Sequence, residues 1–189
     1  MNAGKSAFLL ALERAGRFPG TEKTILLAKE GAEYPGLPGE VDLVSRPSWT
    51  KKSLLEELSR LSLGGEGAWD LAYFAWADCP LLDPALAGAL AERHIRYAAE
   101  YSYADGWPYG YAPELLSPGT AGVLRKIAGD EDGTVERDCL FSAIQKDINA
   151  FDIETEISPV DLRQYRLNLQ ADSKRNLLLL SRFFEASCT

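Results

Sequence analysis

Residues 71–77 read LAYFAWA, a run with a hydrophobic residue at every position. A strand with one wet face alternates apolar and polar residues. An unbroken apolar run instead fits a strand covered by helices on both faces, so this segment is the expected sheet centre. Strand-like and helix-like segments alternate around it. Residues 6–17 set Phe8, Leu12 and Ala15 at helical spacing, and Pro19 and Gly20 end that helix. Residues 24–28 and 41–45 read as strands flanking a loop that holds Pro35, Gly36, Pro38 and Gly39. Leu54, Leu55, Leu58 and Leu61 predict a helix over 50–63, with Ser53 and Glu56 as an S-x-x-E start and Gly64, Gly65 and Gly67 as the stop.

Further along, Asp83-Pro84 reads as an N-cap and first turn, opening a helix with Leu86, Leu90 and Tyr97 on one side. Residues 100–104 form a short aromatic strand. Ser117-Pro118 repeats the cap signature before 123–127, 130–133 is an acidic turn, and a helix covers 138–148. Residues 151–157 and 165–169 read as late strands, and Asp172 caps a last helix holding Leu177, Leu180 and Phe184. This alternation predicts an α/β layered sheet with right-handed crossovers.

With 189 residues, 46% of them hydrophobic, the chain suits one domain over 1–189 with a single sizeable core. Twenty Lys and Arg against 28 Asp and Glu give a net charge of −8 with no basic block, which disfavours nucleic acid as a partner. Apolar runs such as 71–77 and 177–180 fall far short of the roughly 20 residues of a membrane span. The start lacks a secretory signal pattern. Cysteines at 79, 139 and 188, with no CxxC pair, fit a reducing cytoplasm.

In open α/β sheets ligands lie outside the carboxyl ends of strands, which draws attention to Asp78, directly after LAYFAWA. A carboxylate there can hold magnesium together with substrate phosphate oxygens, or it can serve as a turn residue satisfying local backbone amides. His94, the only histidine, reads as structural near a helix end, where a cation favours the dipole. Tyr97, Tyr101, Tyr103, Trp107, Tyr109 and Tyr111 form an aromatic cluster suited to core packing or to sugar stacking. Ala3-Gly4-Lys5-Ser6 mimics only the tail of a phosphate loop.

The segment Ala77-Asp78-Cys79-Pro80-Leu81-Leu82-Asp83-Pro84, then Glu100-Tyr101-Ser102-Tyr103, then Trp107-Pro108-Tyr109-Gly110-Tyr111-Ala112-Pro113-Glu114, resembles nucleotidyltransferases that transfer cytidylyl groups to sugars. The similarity is to the spore-coat polysaccharide and acylneuraminate or KDO cytidylyltransferase group. Glu136-Arg137-Asp138-Cys139-Leu140 is similar to that group's E-R-E-H-V motif, and Arg166-Leu167-Asn168-Leu169 to its R-L-T-V strand. The resemblance implies a three-layer, Rossmann-like nucleotide-diphospho-sugar transferase fold with a mixed, mostly parallel sheet. It makes Asp78 the magnesium-binding, catalytic aspartate and assigns Gly110, Glu114 and Arg137 to substrate binding.

Departures accompany the likeness. Gln170 stands where the group has a second metal-binding aspartate, so Asp172 would have to substitute by a register shift or else act only as a helix cap. Cys139 stands where the motif has histidine. Gly4-Lys5-Ser6-Ala7-Phe8 resembles a stretch that follows the group's first strand and nucleotide loop, so that strand is expected to be missing, leaving its neighbours with unpaired edges. The implied function is a degenerate cytidylyltransferase-like domain acting on a sugar or sugar acid, with Mg2+ as cofactor if active and a nucleotide or sugar nucleotide as ligand. The alternative is a non-catalytic docking module. Residues 159–182 are similar to the end of the nucleotidyltransferase-like region in spirochaetal radical SAM/SPASM proteins, which would make the partner a downstream domain. The open edge also makes a homodimer an expected arrangement.

Overall fold

Local sequence sets most of the elements. The computed structural model describes residues 6–63, 69–129 and 133–186. Helix α1 (Ala7–Ala15) starts where Ser6 Oγ accepts the Leu9 N–H. Strands β1 (Thr24–Lys29) and β2 (Val41–Arg46) pair in parallel as a sheet of their own. Helix α2 (Lys51–Leu63) opens one turn earlier than the S-x-x-E signal implies. Ser53 N–H donates to Thr50 Oγ1 at 3.2 Å, and Thr50 N–H donates to Ser53 Oγ at 2.8 Å. This reciprocal box already satisfies the first amides. Glu56 is left to accept from Arg125 Nε at 3.1 Å, tying α2 to α4 (Thr120–Ala128). The expected glycine stop at 64, 65 and 67, most of the acidic turn at 130–132 and the phosphate-loop mimic at 3–5 lie outside the described residues.

The all-apolar run forms only a three-residue strand, β3 (Ala72–Phe74). With β4 (Tyr101–Asp105), β5 (Glu114–Leu116) and β6 (Ile153–Ile157) it makes a four-stranded sheet in the order β3-β5-β4-β6, so β3 lies at an edge and not at the centre. The reason is that an apolar run reports coverage of both faces, not hydrogen-bonding on both edges. Coverage of both faces does hold. Tyr73 pairs with Leu115, and both pack against α3 (Pro84–Arg96), whose Leu90 and Ala91 join them. On the opposite face the cross-strand row of Ala72, Leu116 and Tyr101 packs against Leu54 and Leu55 of α2, Leu124 of α4, and Leu140 and Ile144 of α5 (Cys139–Ile144). Period-two alternation along β3 and β5 thus separates two helical layers, giving the three-layer architecture. Each fully enclosed leucine contributes on the order of 2 kcal/mol.

The sheet is mixed. β1–β2 and β4–β6 are parallel, whereas β5 runs antiparallel to both its neighbours. Among the described residues, β1 and β3 each have a strand partner on one side only. Leu27 of β1 packs into the same apolar cluster as Ala72 and Phe74, so the two sheets share a core without a backbone ladder between them.

Other expectations differ in detail. Asp83 caps α3, accepting the Leu86 N–H at 2.9 Å, but Tyr97 is the exposed C-cap residue and not part of the buried side. Helix α4 is entered through Gly119 at φ +88°, a left-handed turn that glycine adopts without strain, and not through a Ser117 cap. The helix expected over 138–148 stops at Ile144 and continues as the 3-10 stretch Gln145–Ala150. Residues 165–169 form no strand. Arg166 sits at φ +48°, and only an isolated bridge joins Asn168 to Tyr109. On the last helix, α6 (Lys174–Ala186), Leu180 and Phe184 are buried while Leu177 is exposed. No described helix is long and apolar enough to cross a membrane.

His94 is buried on α3, so a charged helix-end histidine does not describe it. Its Nδ1 lies 2.8 Å from Ser102 Oγ and its Nε2 lies 2.9 Å from Ser117 Oγ. The single hydroxyl proton of Ser117 goes to the Ala99 carbonyl at 2.6 Å, so Ser117 accepts from Nε2–H. Nδ1 is therefore bare and accepts from Ser102. Burial lowers the His94 pKa from its ordinary value, which keeps the ring neutral.

Candidate active site

Three segments converge at the carboxyl ends of β1 and β3, as the strand-end rule anticipates. The start of α1 supplies Ser6, Phe8 and Leu9, the loop after β1 supplies Glu33, Tyr34 and Pro35, and the end of the apolar run supplies Trp76, Ala77 and Asp78. Arg137, from the turn before α5, completes a cleft of about 710 Å³. That volume and a largely apolar wall with a few polar groups suit a small-molecule ligand of nucleotide size. Phe8 and Tyr34 contact each other with ring centroids 5.4 Å apart.

Asp78 and Arg137 form the polar wall. Arg137 Nη1 donates to Asp78 Oδ1 at 2.8 Å and Nη2 to Oδ2 at 2.5 Å, a two-pronged charge-assisted pair. The Arg137 guanidinium lies 5.2 Å from the centroid of the Trp76 ring, and Trp76 Nε1 donates to the Arg137 carbonyl at 3.3 Å. One indole therefore holds both ends of the arginine. On the other side, Arg137 Nη2 is 3.6 Å from Asp172 Oδ2. The Asp78 carbonyl accepts from Ala171 N–H at 2.8 Å, which fixes the two aspartate-bearing loops to each other.

The two carboxylates that the sequence singles out are thus brought together, with a guanidinium between them. Asp172 does not cap α6 through its backbone, because Ser173 Oγ takes the Asn176 N–H. Asp172 Oδ1 instead accepts from the Asn176 side chain at 2.7 Å. The magnesium that the resemblance implies does not fit this arrangement, since both Asp78 oxygens are already engaged by Arg137. Among the described residues no group of three or more His, Cys, Asp or Glu side chains is placed to hold a metal ion.

Glu114 lies one layer deeper, opposite Phe74 in the β3–β5 register and so at the same end of the sheet as Asp78. It is not a solvated strand-end acid. Burial is the largest influence on its carboxyl and raises the pKa to about 7, the nearby Asp138 adding to the rise. Tyr101 Oη donates to Glu114 Oε2 at 2.5 Å and opposes it. Cys139, at the start of α5, feels the same environment. Burial foremost, with the Glu114 charge, pushes its thiol up to about 12.

Gly110 stands at φ +81°, and the space a Cβ would occupy is already taken. Gln170 Cγ would lie at 2.9 Å, Cys79 Sγ at 3.2 Å and the Leu169 carbonyl carbon at 3.3 Å. Its close approach is to the chain's own 169–170 segment, held by Leu169 N–H donating to the Tyr109 carbonyl at 2.8 Å. Gln170 is buried there beside Cys79.

The tyrosine-rich cluster disperses. Tyr101 stacks with Tyr103 and with Phe141, Tyr103 lies tilted against Phe141, Trp107 stacks on Tyr111, and Tyr97 and Tyr109 are exposed. The aromatics that line the cleft are Phe8, Tyr34 and Trp76. Sequence reasoning missed them as site residues because Phe8 and Trp76 were absorbed into a helix stripe and an apolar strand. The one available signal was an indole two residues before a strand-end aspartate.

No family model matches the chain. An uncharacterised protein of Treponema pallidum is 37% identical over 54 residues, covering 29% of this chain and 25% of that protein. A second from the same organism is 46% identical over 44 residues, covering 23% and 12%. These matches therefore span a quarter or less of the curated relatives. Among solved structures, a cytidylyltransferase from Leptospira borgpetersenii superposes with a TM-score of 0.73 at 14% identity, covering 94% of this chain and 74% of that one. A 4-diphosphocytidyl-2C-methyl-D-erythritol synthase from Anaerococcus prevotii gives 0.66 at 11% identity, covering 97% and 87%. A Mycobacterium sp. strain JC1 homologue of a Mycobacterium tuberculosis protein gives 0.65 at 15% identity, covering 97% and 85%. At these identities the likeness establishes a nucleotidyltransferase-like α/β fold.

Proposed function

We propose that this domain binds a nucleotide or sugar nucleotide, cytidine in type, in the cleft beside Asp78, and that cytidylyl transfer to a sugar or sugar acid is attenuated in it. The observation that carries this reading is the Asp78–Arg137 pair, set in the wall of a nucleotide-sized cleft at the strand ends. Phe8, Tyr34 and Trp76 offer apolar faces for a base or ribose. Ser6 and the start of α1 bring the positive end of a helix dipole to the same rim, where it favours phosphate oxygens. Gly110 packs against Cys79, the residue after Asp78, and against the 169–170 segment, while Glu114 is hydrogen-bonded to Tyr101 in the core.

Attenuation follows from the electrostatics. Phosphoryl-group transfer is driven mainly by positioning and charge neutralisation. Here one guanidinium is shared by two carboxylates, so little of its charge is left for a developing transition state.

Thermal unfolding with a panel of nucleotides tests the proposal. A cytidine nucleotide at 100 times its Kd is expected to stabilise the domain by about 2.7 kcal/mol, and the same ligand is expected to lose that effect on Trp76→Ala. If no nucleoside triphosphate, monophosphate or diphospho-sugar moves the midpoint, the nucleotide reading fails and a recognition module without a nucleotide ligand remains.

A further inference from the structure

We infer that Arg137 is the resident cation of this site. It holds Asp78 and Asp172 together where a divalent ion would otherwise sit, so its charge offsets the two carboxylates in place of a metal. The inference concerns the same cleft and stands independently of the nucleotide reading.

Geometry carries it. The guanidinium touches both Asp78 oxygens at 2.8 and 2.5 Å and approaches Asp172 Oδ2 at 3.6 Å, so the same Nη2 lies between the two carboxylates. Two parallel N–H···O bonds match the planar fork of arginine to a carboxylate. Arginine does not lose its proton in proteins, so it cannot vacate the position by neutralising. Trp76 anchors the arginine at backbone and guanidinium, and the Ala171–Asp78 backbone bond fixes the separation of the two acids. A hard divalent ion needs carboxylate lone pairs directed at it, and those of Asp78 are directed at nitrogen. Cys79 Sγ, 3.7 Å from Asp78 Oδ1, donates to that oxygen. With the guanidinium removed, the two aspartates become a two-carboxylate cation site of the kind that magnesium and manganese share.

Titration with Mn2+, followed by electron paramagnetic resonance without nucleotide, decides the matter. The wild-type chain is expected to show no saturable ion at Asp78 into the millimolar range. Arg137→Gln is expected to gain one site at least tenfold tighter than any wild-type binding, and that site disappears in Arg137→Gln with Asp78→Asn. Arg137→Lys, which keeps a positive charge, gains none. Saturable wild-type binding that Asp78→Asn abolishes would overturn the inference even if the Arg137 variants did not fold. A folded Arg137→Gln that gains no site, as judged by circular dichroism and a cooperative melt, overturns it too. Because nucleotide is absent, failure here leaves the nucleotide reading standing, and failure of that reading leaves this result intact.

Discussion

Gly110→Ala is expected to destabilise the domain by about 3 kcal/mol, combining roughly 1 kcal/mol of left-handed backbone strain with about 2 kcal/mol of overpacking. The strain alone is common to every glycine with positive φ. The overpacking is particular to Gly110, where an added Cβ meets Gln170 Cγ at 2.9 Å and a backbone carbon at 3.3 Å. Gly31→Ala provides the control, because Gly31 has φ +76° and nothing within 4 Å of its missing Cβ. It should lose only the strain, about 1 kcal/mol. Urea denaturation of the two variants measures the difference. Equal losses would mean that the 169–170 segment does not pack against Gly110, and would separate the Asp172 loop from the cleft wall.

Glu114→Gln should produce a stability change that depends on pH. The wild-type carboxyl has a folded pKa of about 7, against an ordinary value of 4.5, so the folded state holds its proton more tightly than the unfolded state does. Its contribution is therefore fully present below pH 4.5 and is lost as pH rises through 7. The shift corresponds to about 3 kcal/mol. Glutamine cannot ionise, and its carbonyl still accepts from Tyr101. The variant should match wild type within about 1 kcal/mol at pH 5 and exceed it by up to about 3 kcal/mol at pH 8. His94 works in the opposite sense. Its lowered folded pKa costs stability as pH falls below its ordinary 6.5. Because His94 is present in both proteins, the difference between their urea-derived stabilities at each pH isolates Glu114. A flat difference would mean that the carboxyl is solvated and its partner tyrosine incidental.

The layered fold could be read from the chain because its signals were local. Asp83 acts as the cap at the first turn of its helix, the apolar spacing over 6–17 marks α1, and the residue types of β1 and β2 mark strands whatever their neighbours do. Sheet order could not be read in the same way. LAYFAWA records that helices cover both faces, yet its place at an edge depends on which distant strand pairs with it, and that strand, Glu114–Leu116, is too short to carry a pattern of its own. Asp78, Arg137 and Asp172 were each legible as candidates. Their meeting was not, because the bonds that join them cross 59 residues in one case and depend on a loop–loop backbone contact in the other. The cleft aromatics were hidden for a related reason, since Phe8 and Trp76 satisfy a helix stripe and an apolar strand equally well.

The location of ligand binding is tested most directly by nuclear magnetic resonance. The indole Nε1–H of Trp76, assigned by Trp76→Phe, is followed while a cytidine nucleotide is added. A saturable shift of that resonance is expected, together with the amides of Glu33, Tyr34 and residues 76–78 and with the Arg137 side chain. Saturable shifts that leave Trp76 and these residues unmoved, and fall on the far end of the sheet or on the α6 face, would contradict it.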